Sequence, residues 1–238
     1  MGKNLIQQAR GKGGPTYRAP SFRYKGKASY FIPSKGKLNA KIIDIIRCAG
    51  HSAPLIVLEH ENKIRNLMIA PEGIKVGQVV EYGEKIAPEN GNMLLLKDIP
   101  EGTLVYNIEG QPGDGGKFVR SSGAFARVIA KMKSNVIVQL PSKKQKEFNP
   151  NCRATIGIVA GSGRKEKPFL KAGTKFYAMK AKNKLWPSIS GTSQNAVDHP
   201  FGGSSSAHKG KPTIAPKNAP PGRKVGAIHP RRMGRKKK

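Results

Sequence analysis

A serine, an acid and a histidine lie close together in the C-terminal third of this 238-residue chain. Ser193, Asp198 and His199 belong to the stretch SQNAVDHPFGG, and the same residue types form the catalytic triad of many hydrolases. In a triad the carboxylate reaches the imidazole from elsewhere in the fold, whereas neighbours in an extended chain point in opposite directions. Pro200 favours an extended conformation at His199, and the chain has no G-x-S-x-G elbow. The spacing therefore argues against catalysis.

The glycine-rich stretch GQPGDGGKF (110–118) resembles a phosphate-binding loop of nucleotide-binding proteins. That loop requires G-x-x-x-x-G-K-[ST], but Gln111 occupies the first glycine position and Phe118 the last position. The stretch is either a flexible connection between strands or a loop whose backbone approaches an RNA phosphate. In the second interpretation Lys117 and Arg120 supply the charge.

Metal ligands are poorly represented. Cys48 and His51 have a C-x-x-H spacing, but no second pair lies at a zinc-ligand spacing. His199, His208 and His229 are scattered through the C-terminal part. We predict no metal site and no cofactor, apart from magnesium ions that bound RNA would bring with it.

The composition indicates a polyanionic partner. Lys and Arg number 44 against 14 Asp and Glu, which gives a net charge of +30. No apolar run approaches the ~20 residues that span a bilayer, and the N-terminus lacks the apolar stretch of a secretory signal. Two cysteines are too few for a disulfide framework. We predict an intracellular, soluble, nucleic-acid-bound protein.

The charge is unevenly distributed. Residues 1–37 carry +9, residues 38–140 carry +1 and residues 141–238 carry +20. From residue 180 onward only nine large apolar side chains occur, too few to offset ~1–2 kcal/mol of backbone entropy per ordered residue. The C-terminal arm is therefore expected to be disordered in isolation and to order against phosphates.

The nearly neutral middle contains short runs rich in Ile, Val and Leu, separated by turn residues. Such spacing predicts strands of small antiparallel barrels or sandwiches. With 28 Gly and 18 Pro, helix is expected to be scarce. The predicted strand runs are 41–47, 53–60, 64–70, 78–83, 92–98, 103–110, 125–132, 135–141 and 153–160.

The N-terminal arm interleaves basic and aromatic residues between Arg18 and Phe31. Such a pattern suits RNA, because charge meets phosphate and rings stack on exposed bases. The same rings could instead cover a barrel, and the sequence leaves both roles open.

The motifs SQNAVDHPFGG, GQPGDGGKFVRSSGAFARV, NCRATIGIVAG, KAGTKFYAMK and PPGRKVG resemble the universal large-ribosomal-subunit protein of the L-two family. The resemblance extends from about Tyr24 to the C-terminal arm, and Phe201 is typical of archaeal or eukaryotic members. Ser204 departs from the third glycine that members usually have after Gly203.

The resemblance implies an all-β fold with an OB-like barrel (38–95) followed by an SH3-like barrel (96–170). Basic extensions at 1–37 and 171–238 would thread into ribosomal RNA. It implies a structural constituent of the large subunit, not an enzyme, in cytoplasmic ribosomes. The protein would bind rRNA near the peptidyl-transferase region and support subunit assembly, subunit association and translation. Expected partners are large-subunit rRNA, neighbouring ribosomal proteins and the small subunit, with no membrane.

In this interpretation SQNAVDHPFGG is a loop near the peptidyl-transferase region. Gly202 and Gly203 allow close passage beside RNA, and Asp198 orders its own loop or binds a base edge or hydrated magnesium. His199 is expected to be a structural contact whose protonated ring donates two hydrogen bonds. The predicted rRNA-binding residues are Arg18, Arg23, Tyr24, Lys25, Lys27, Lys117, Arg120, Arg153, Lys182, Lys184, Trp186, Ser193, Asn195, Asp198, His199, Gly202, Gly203, His208, Lys211, Arg223, Lys224, Arg231 and Arg232.

Two other classes of protein fit the charge alone. An RNA-processing enzyme would need a convergent acid–base or metal cluster, and the sequence reveals none. A general nucleic-acid chaperone would explain the charge but not the ordered series of motifs. Cosedimentation with large subunits after a high-salt wash would separate these classes.

Overall fold

A single ten-stranded sheet organises the middle of the chain. The computed structural model describes residues 5–31, 36–83, 86–164, 166–203 and 213–228. It divides into two units, Ser21–Lys171 and a second unit formed by Met1–Pro20 with Ala172–Lys238. The strands of the sheet are β1 Leu38–Ile46, β2 Leu55–His60, β3 Arg65–Ile69, β4 Val79–Tyr82, β5 Met93–Leu95, β6 Leu104–Tyr106, β7 Ala126–Lys131, β8 Val136–Gln139, β9 Gln145–Phe148 and β10 Arg153–Ile156.

The strands pair in the order β3-β2-β1-β4-β5-β10-β6-β7-β8-β9. All neighbours are antiparallel except β4 and β5, which are parallel and meet where Tyr82 pairs with Met93. β1 has a register shift between Ile42 and Asp44. β7 has one between Val128 and Ala130. Bulges of this kind increase strand twist and bend a sheet toward closure.

Two large hydrophobic cores and a third, smaller cluster that includes Tyr106 lie on this sheet. The first is built mainly on β1 to β4 and includes Ile42 and Leu58. The second is built mainly on β5 to β10 and includes Leu96 and Val138. Along β1 and β7 the buried side chains alternate with exposed ones, as expected for strands with one buried face.

Each of the nine predicted runs overlaps a strand, and the prediction of an all-β, barrel-type fold is confirmed. β9 was missed, because only Phe148 of its four residues is buried and its sequence QKEF carries no apolar alternation. The boundaries proposed for the OB-like and SH3-like barrels stay predictions.

Part of the N-terminal basic–aromatic stretch belongs to the sheet-containing unit. Tyr30 lies in the first core and is 6% exposed, and Ala28 bridges Leu67 of β3. Phe31 contacts His60, with ring centroids 4.3 Å apart. These residues cover the barrel, whereas Phe22 is 83% exposed.

The described part of the second unit contains two α-helices, α1 Ile6–Gly11 and α2 Ala172–Ala181, a 3-10 helix at Gly191–Ser193, and a short parallel pair, β11 Ile214–Ala215 and β12 Ala227–Ile228. Neither helix contains a buried residue. α2 was not predicted from the sequence. No helix in the described part of the chain is long and apolar enough to cross a membrane.

Candidate nucleic-acid interface

The SQNAVDHPFGG stretch folds into a compact loop closed by its own backbone. The amides of Asp198 and His199 both donate to the Asn195 carbonyl, at 2.9 and 3.1 Å. Gly203 N–H donates to the Gln194 carbonyl at 3.1 Å and closes the loop. Asp198 lies in a turn, so the expectation of an extended chain was wrong for Asp198.

The His199 ring is held inside this loop. Its Nδ1 accepts a hydrogen bond from Phe201 N–H at 3.0 Å, and the two rings lie 5.2 Å apart. An accepting Nδ1 carries no proton, so only Nε2 of this ring can donate. This hydrogen bond uses Nδ1 as an acceptor, and the role of His199 as an rRNA contact stays a prediction. Gly191 faces the ring, and a Cβ there would lie 2.4 Å from Cε1.

The two glycines at the end of the loop are required by the loop itself. A Cβ at Gly202 would lie 2.2 Å from the Gln194 carbonyl oxygen. Gly203 has φ +90°, and a Cβ there would lie 2.7 Å from the Ala196 Cβ. Internal packing thus explains both glycines without an RNA strand against them.

The glycine-rich loop is ordered by Asp114. Its carboxylate accepts from the amides of Gly110 (2.8 Å), Gln111 (3.1 Å) and Gly116 (3.0 Å). Burial alone would raise the pKa of Asp114, but these three bonds and the charge of Lys117, 3.4 Å away, lower it. The loop is therefore a fixed connection, and Lys117, whose side chain is 66% exposed, extends from it.

Arg120 has an internal role that the sequence did not reveal. Its Nη1 donates to the Gly116 carbonyl and its Nη2 to the Ala28 carbonyl, both at 2.7 Å. It joins the glycine-rich loop to the N-terminal segment. Burial lowers its pKa, while the neighbouring Tyr30 and Asp114 oppose that shift. Arg120 is held within the fold by these two bonds, and its assignment as a phosphate contact stays a prediction.

A buried carboxylate supports the same region. Glu109 is fully buried, and it accepts from Gly115 N–H at 3.2 Å and from Arg153 N–H at 2.9 Å. Arg153 is half-buried, and its Nη1 lies buried without a hydrogen-bond partner in the protein. Glu109 and Asp114 were both missed, although Asp114 lies between glycines in a pattern typical of side-chain-to-backbone turns.

The other predicted contact residues differ in exposure. The four residues His208, Lys211, Arg231 and Arg232 lie outside the described part of the chain. Half-buried side chains are Tyr24, Trp186 and Arg223. Exposed side chains are Arg18, Arg23, Lys25, Lys27, Lys182, Lys184, Ser193, Asn195, Asp198 and Lys224.

The structure brings Ser193, Asn195, Asp198, His199, Gly202 and Gly203 together in one loop, and Lys117 and Arg120 at another. Within the described residues, no group of three His, Cys, Asp or Glu side chains could hold a metal ion. Cys48 is buried, and His51 N–H donates to its carbonyl at 3.3 Å. Burial and the charge of Arg120 lower the pKa of His51.

The sequence of this chain is similar to those of known proteins. Residues 89–223 match the family described as Ribosomal Proteins L2, C-terminal domain. The chain is 49% identical to the large ribosomal subunit protein uL2 of Methanothermobacter thermautotrophicus, with all of both chains covered. It is 51% identical to that of Archaeoglobus fulgidus, over 98% of this chain and 99% of the relative. It is 49% identical to that of Methanocaldococcus jannaschii over the full length of both.

Proposed function

The chain belongs to the ribosomal protein uL2 family, and from this membership we propose that it binds large-subunit rRNA near the peptidyl-transferase region. It is a structural constituent of the large ribosomal subunit and not an enzyme. The proposal adds that it supports subunit assembly, subunit association and translation in cytoplasmic ribosomes. Its partners would be rRNA, adjacent ribosomal proteins and the small subunit.

The charge of the second unit carries this proposal. Residues 1–20 and 172–238 contain 19 Lys and Arg but a single acidic residue, Asp198. Neither helix of this unit contains a buried residue. A segment of this charge gains affinity from RNA by releasing counterions from phosphates. The sheet-containing unit, with its two apolar cores, can fold by its own packing.

The SQNAVDHPFGG loop is suited to hold RNA-binding side chains in fixed positions. Its backbone bonds and the His199 ring fix its shape from within, while Ser193, Asn195 and Asp198 are exposed. Exposed hydroxyl, amide and carboxylate groups on a fixed loop can bind base edges and sugars selectively. Catalysis at His199 finds no support, because the ring nitrogen facing the loop is already an acceptor.

Cosedimentation tests whether the protein is bound to the large ribosomal subunit. The protein should remain with large subunits after a high-salt wash that removes loosely bound proteins. A protein that washes off completely, as a general RNA chaperone would, contradicts the proposal. A chain lacking residues 171–238 is the matched variant, and it should be retained less.

Site-directed radical cleavage tests the position on rRNA. Cys48 and Cys152 are both buried, so a cysteine introduced as Ser193→Cys can carry an iron chelate selectively. Cleavage from this position should fall in peptidyl-transferase nucleotides. Ser142→Cys, on the exposed turn between β8 and β9, is the control and should cleave elsewhere. Identical cleavage from both positions, or none from Ser193→Cys, would refute the proposed location while leaving ribosome membership intact.

A further inference from the structure

Helix α2 presents aromatic side chains without a core to receive them. It contains no buried residue, and its Phe176 and Tyr177 are 44% and 70% exposed. Aromatic rings contribute to stability when they are buried or stacked, so exposed rings on a helix of this kind can be covered by a partner. Lys175 and Lys180 lie on the same helix.

The end of α2 turns the chain back on itself. Lys184 N–H donates to the Met179 carbonyl at 2.9 Å and Asn183 N–H to the Lys180 carbonyl at 3.0 Å. Asn183 has φ +51°. These two bonds with a left-handed residue form a Schellman motif. The reversal places Leu185 and Trp186 beside the helix that precedes them.

A second contact adds the N-terminal segment to this site. Lys180 Nζ donates to the carbonyls of Pro15 and Thr16, both at 2.8 Å. Tyr17 thereby comes to the same cleft as Phe176 and Trp186. The cleft has a volume of about 90 Å³ and is lined by Thr16, Tyr17, Phe176, Lys180, Asn183, Lys184, Leu185 and Trp186.

The charge around the cleft has one sign. Lys175 Nζ lies 5.2 Å from the Trp186 ring centroid, and Arg10 Cζ lies 5.8 Å from that of Tyr17. No acidic residue occurs between residues 167 and 197. Flat aromatic walls bordered by cations fit a ligand that is itself flat, aromatic and attached to an anion. A nucleotide of an RNA chain has this chemistry, whereas an acidic peptide lacks the flat ring.

We propose that this aromatic cleft binds an unpaired nucleobase of ribosomal RNA, which stacks on its rings while the adjoining phosphates meet Lys175 and Lys184. The inference rests on the proposed function and specifies one mode of contact within it. The cleft is far smaller than the ~300–1,000 Å³ of a site that encloses a whole small molecule. It therefore suits one base, with sugar and phosphate left outside.

The full-length protein provides its own probe, because Trp186 is its only tryptophan. Short single-stranded oligoadenylate should quench Trp186 fluorescence as a base stacks on the indole. An abasic ribose-phosphate strand of equal length carries the same charge without bases. Its binding is measured by retention on a filter. When the abasic strand occupies the same fraction of the protein as oligoadenylate does, the Trp186 fluorescence should stay nearly unchanged. Equal quenching by both strands at that occupancy overturns the proposal.

Variants localise the contact. Tyr17→Leu and Phe176→Leu should weaken base-dependent binding about five- to a hundredfold, the range for loss of one base–aromatic stack. Tyr177→Leu is the matched control, since Tyr177 is on the same helix but does not line the cleft. Equal losses in all three variants refute the site.

The outcomes also separate this inference from the proposed function. If both strands bind and neither quenches through its bases, the cleft assignment fails and RNA binding stands. If neither strand binds, both fail. Because the comparison of strands uses the native chain, it does not depend on any variant folding correctly.

Discussion

Replacing Asp114 by asparagine should loosen the glycine-rich loop in a measurable way. Asp114 Oδ2 accepts from Gly110 and Gln111, and Oδ1 accepts from Gly116. Asparagine has a single acceptor oxygen, so at least one backbone N–H loses its partner and faces an amide NH₂ instead. A hydrogen bond to a charged group contributes about 1.5–3 kcal/mol, and this side chain is only 11% exposed. The ion pair with Lys117, which is mostly exposed, adds about 0–1 kcal/mol.

Native-state hydrogen exchange of the full-length protein is the suitable assay, because it reports local opening. In Asp114→Asn, amides of residues 108–118 should exchange roughly ten- to a hundredfold faster, because a loss of about 1.5–3 kcal/mol of local stability corresponds to a factor of that size. Strand β8 should be unaffected. Asp44→Asn is the matched control, since it removes the same charge from an exposed carboxylate that, among the described residues, accepts from Ile45 N–H alone. Unchanged exchange in the loop of Asp114→Asn would refute the reasoning.

The pH dependence supplies a second criterion. The folded protein lowers the pKa of Asp114 from its ordinary value of 3.8. Its stabilising contribution is therefore complete above pH ~4 and is lost as the pH falls through the lower folded pKa. The difference between native protein and Asp114→Asn should shrink in that acidic range. A difference that grows on acidification would contradict the role assigned to the carboxylate.

Three further outcomes are expected. Limited proteolysis should leave a resistant fragment close to residues 21–171, and rapid digestion of the whole chain or complete resistance counts against a folded middle with disordered arms. The affinity for duplex RNA should fall by orders of magnitude between 50 and 200 mM salt if ~6 phosphates are contacted, with a shallower slope after deletion of residues 171–238; a flat response contradicts electrostatic binding. In large subunits, His199→Asn should keep the acceptor for Phe201 N–H and preserve subunit association better than His199→Ala, which removes that acceptor and loses a hydrogen bond worth about 0.5–1.5 kcal/mol. The pH profile of peptide-bond formation should keep its shape, and loss of a titration in both variants would assign His199 to the chemistry.

The sheet could be predicted because its strands carry their own signal. Runs such as LIVLEH are apolar, short and bounded by turn residues, and each becomes a strand. β9 lacked this signal, since it is an edge strand with one partner and mostly exposed side chains. α2 lacked it as well, because no apolar stripe marks a helix whose residues are all at least partly exposed.

The internal bonds of the loops could not be predicted, because their partners are distant in sequence. Arg120 reaches a carbonyl 92 residues away, and the Tyr30 hydroxyl contacts Thr155 at 2.9 Å across 125 residues. A basic residue beside a glycine-rich loop looks the same in sequence whether it binds phosphate or backbone. Local spacing reveals residue chemistry, whereas the fold decides which of these groups remain available to RNA.

The pairing of β10 between β5 and β6 has a consequence for the order in which the chain is made. β5 ends at Leu95, but the strand that joins it to β6 begins only at Arg153. At ~5–20 residues per second, the interval is about three to twelve seconds of synthesis. Until β10 is available, β5 and β6 lack the strand that joins them, and the apolar face of the second core cannot close. This half of the sheet can therefore be completed only after residues 153–156 have been synthesised, late in the making of the sheet-containing unit.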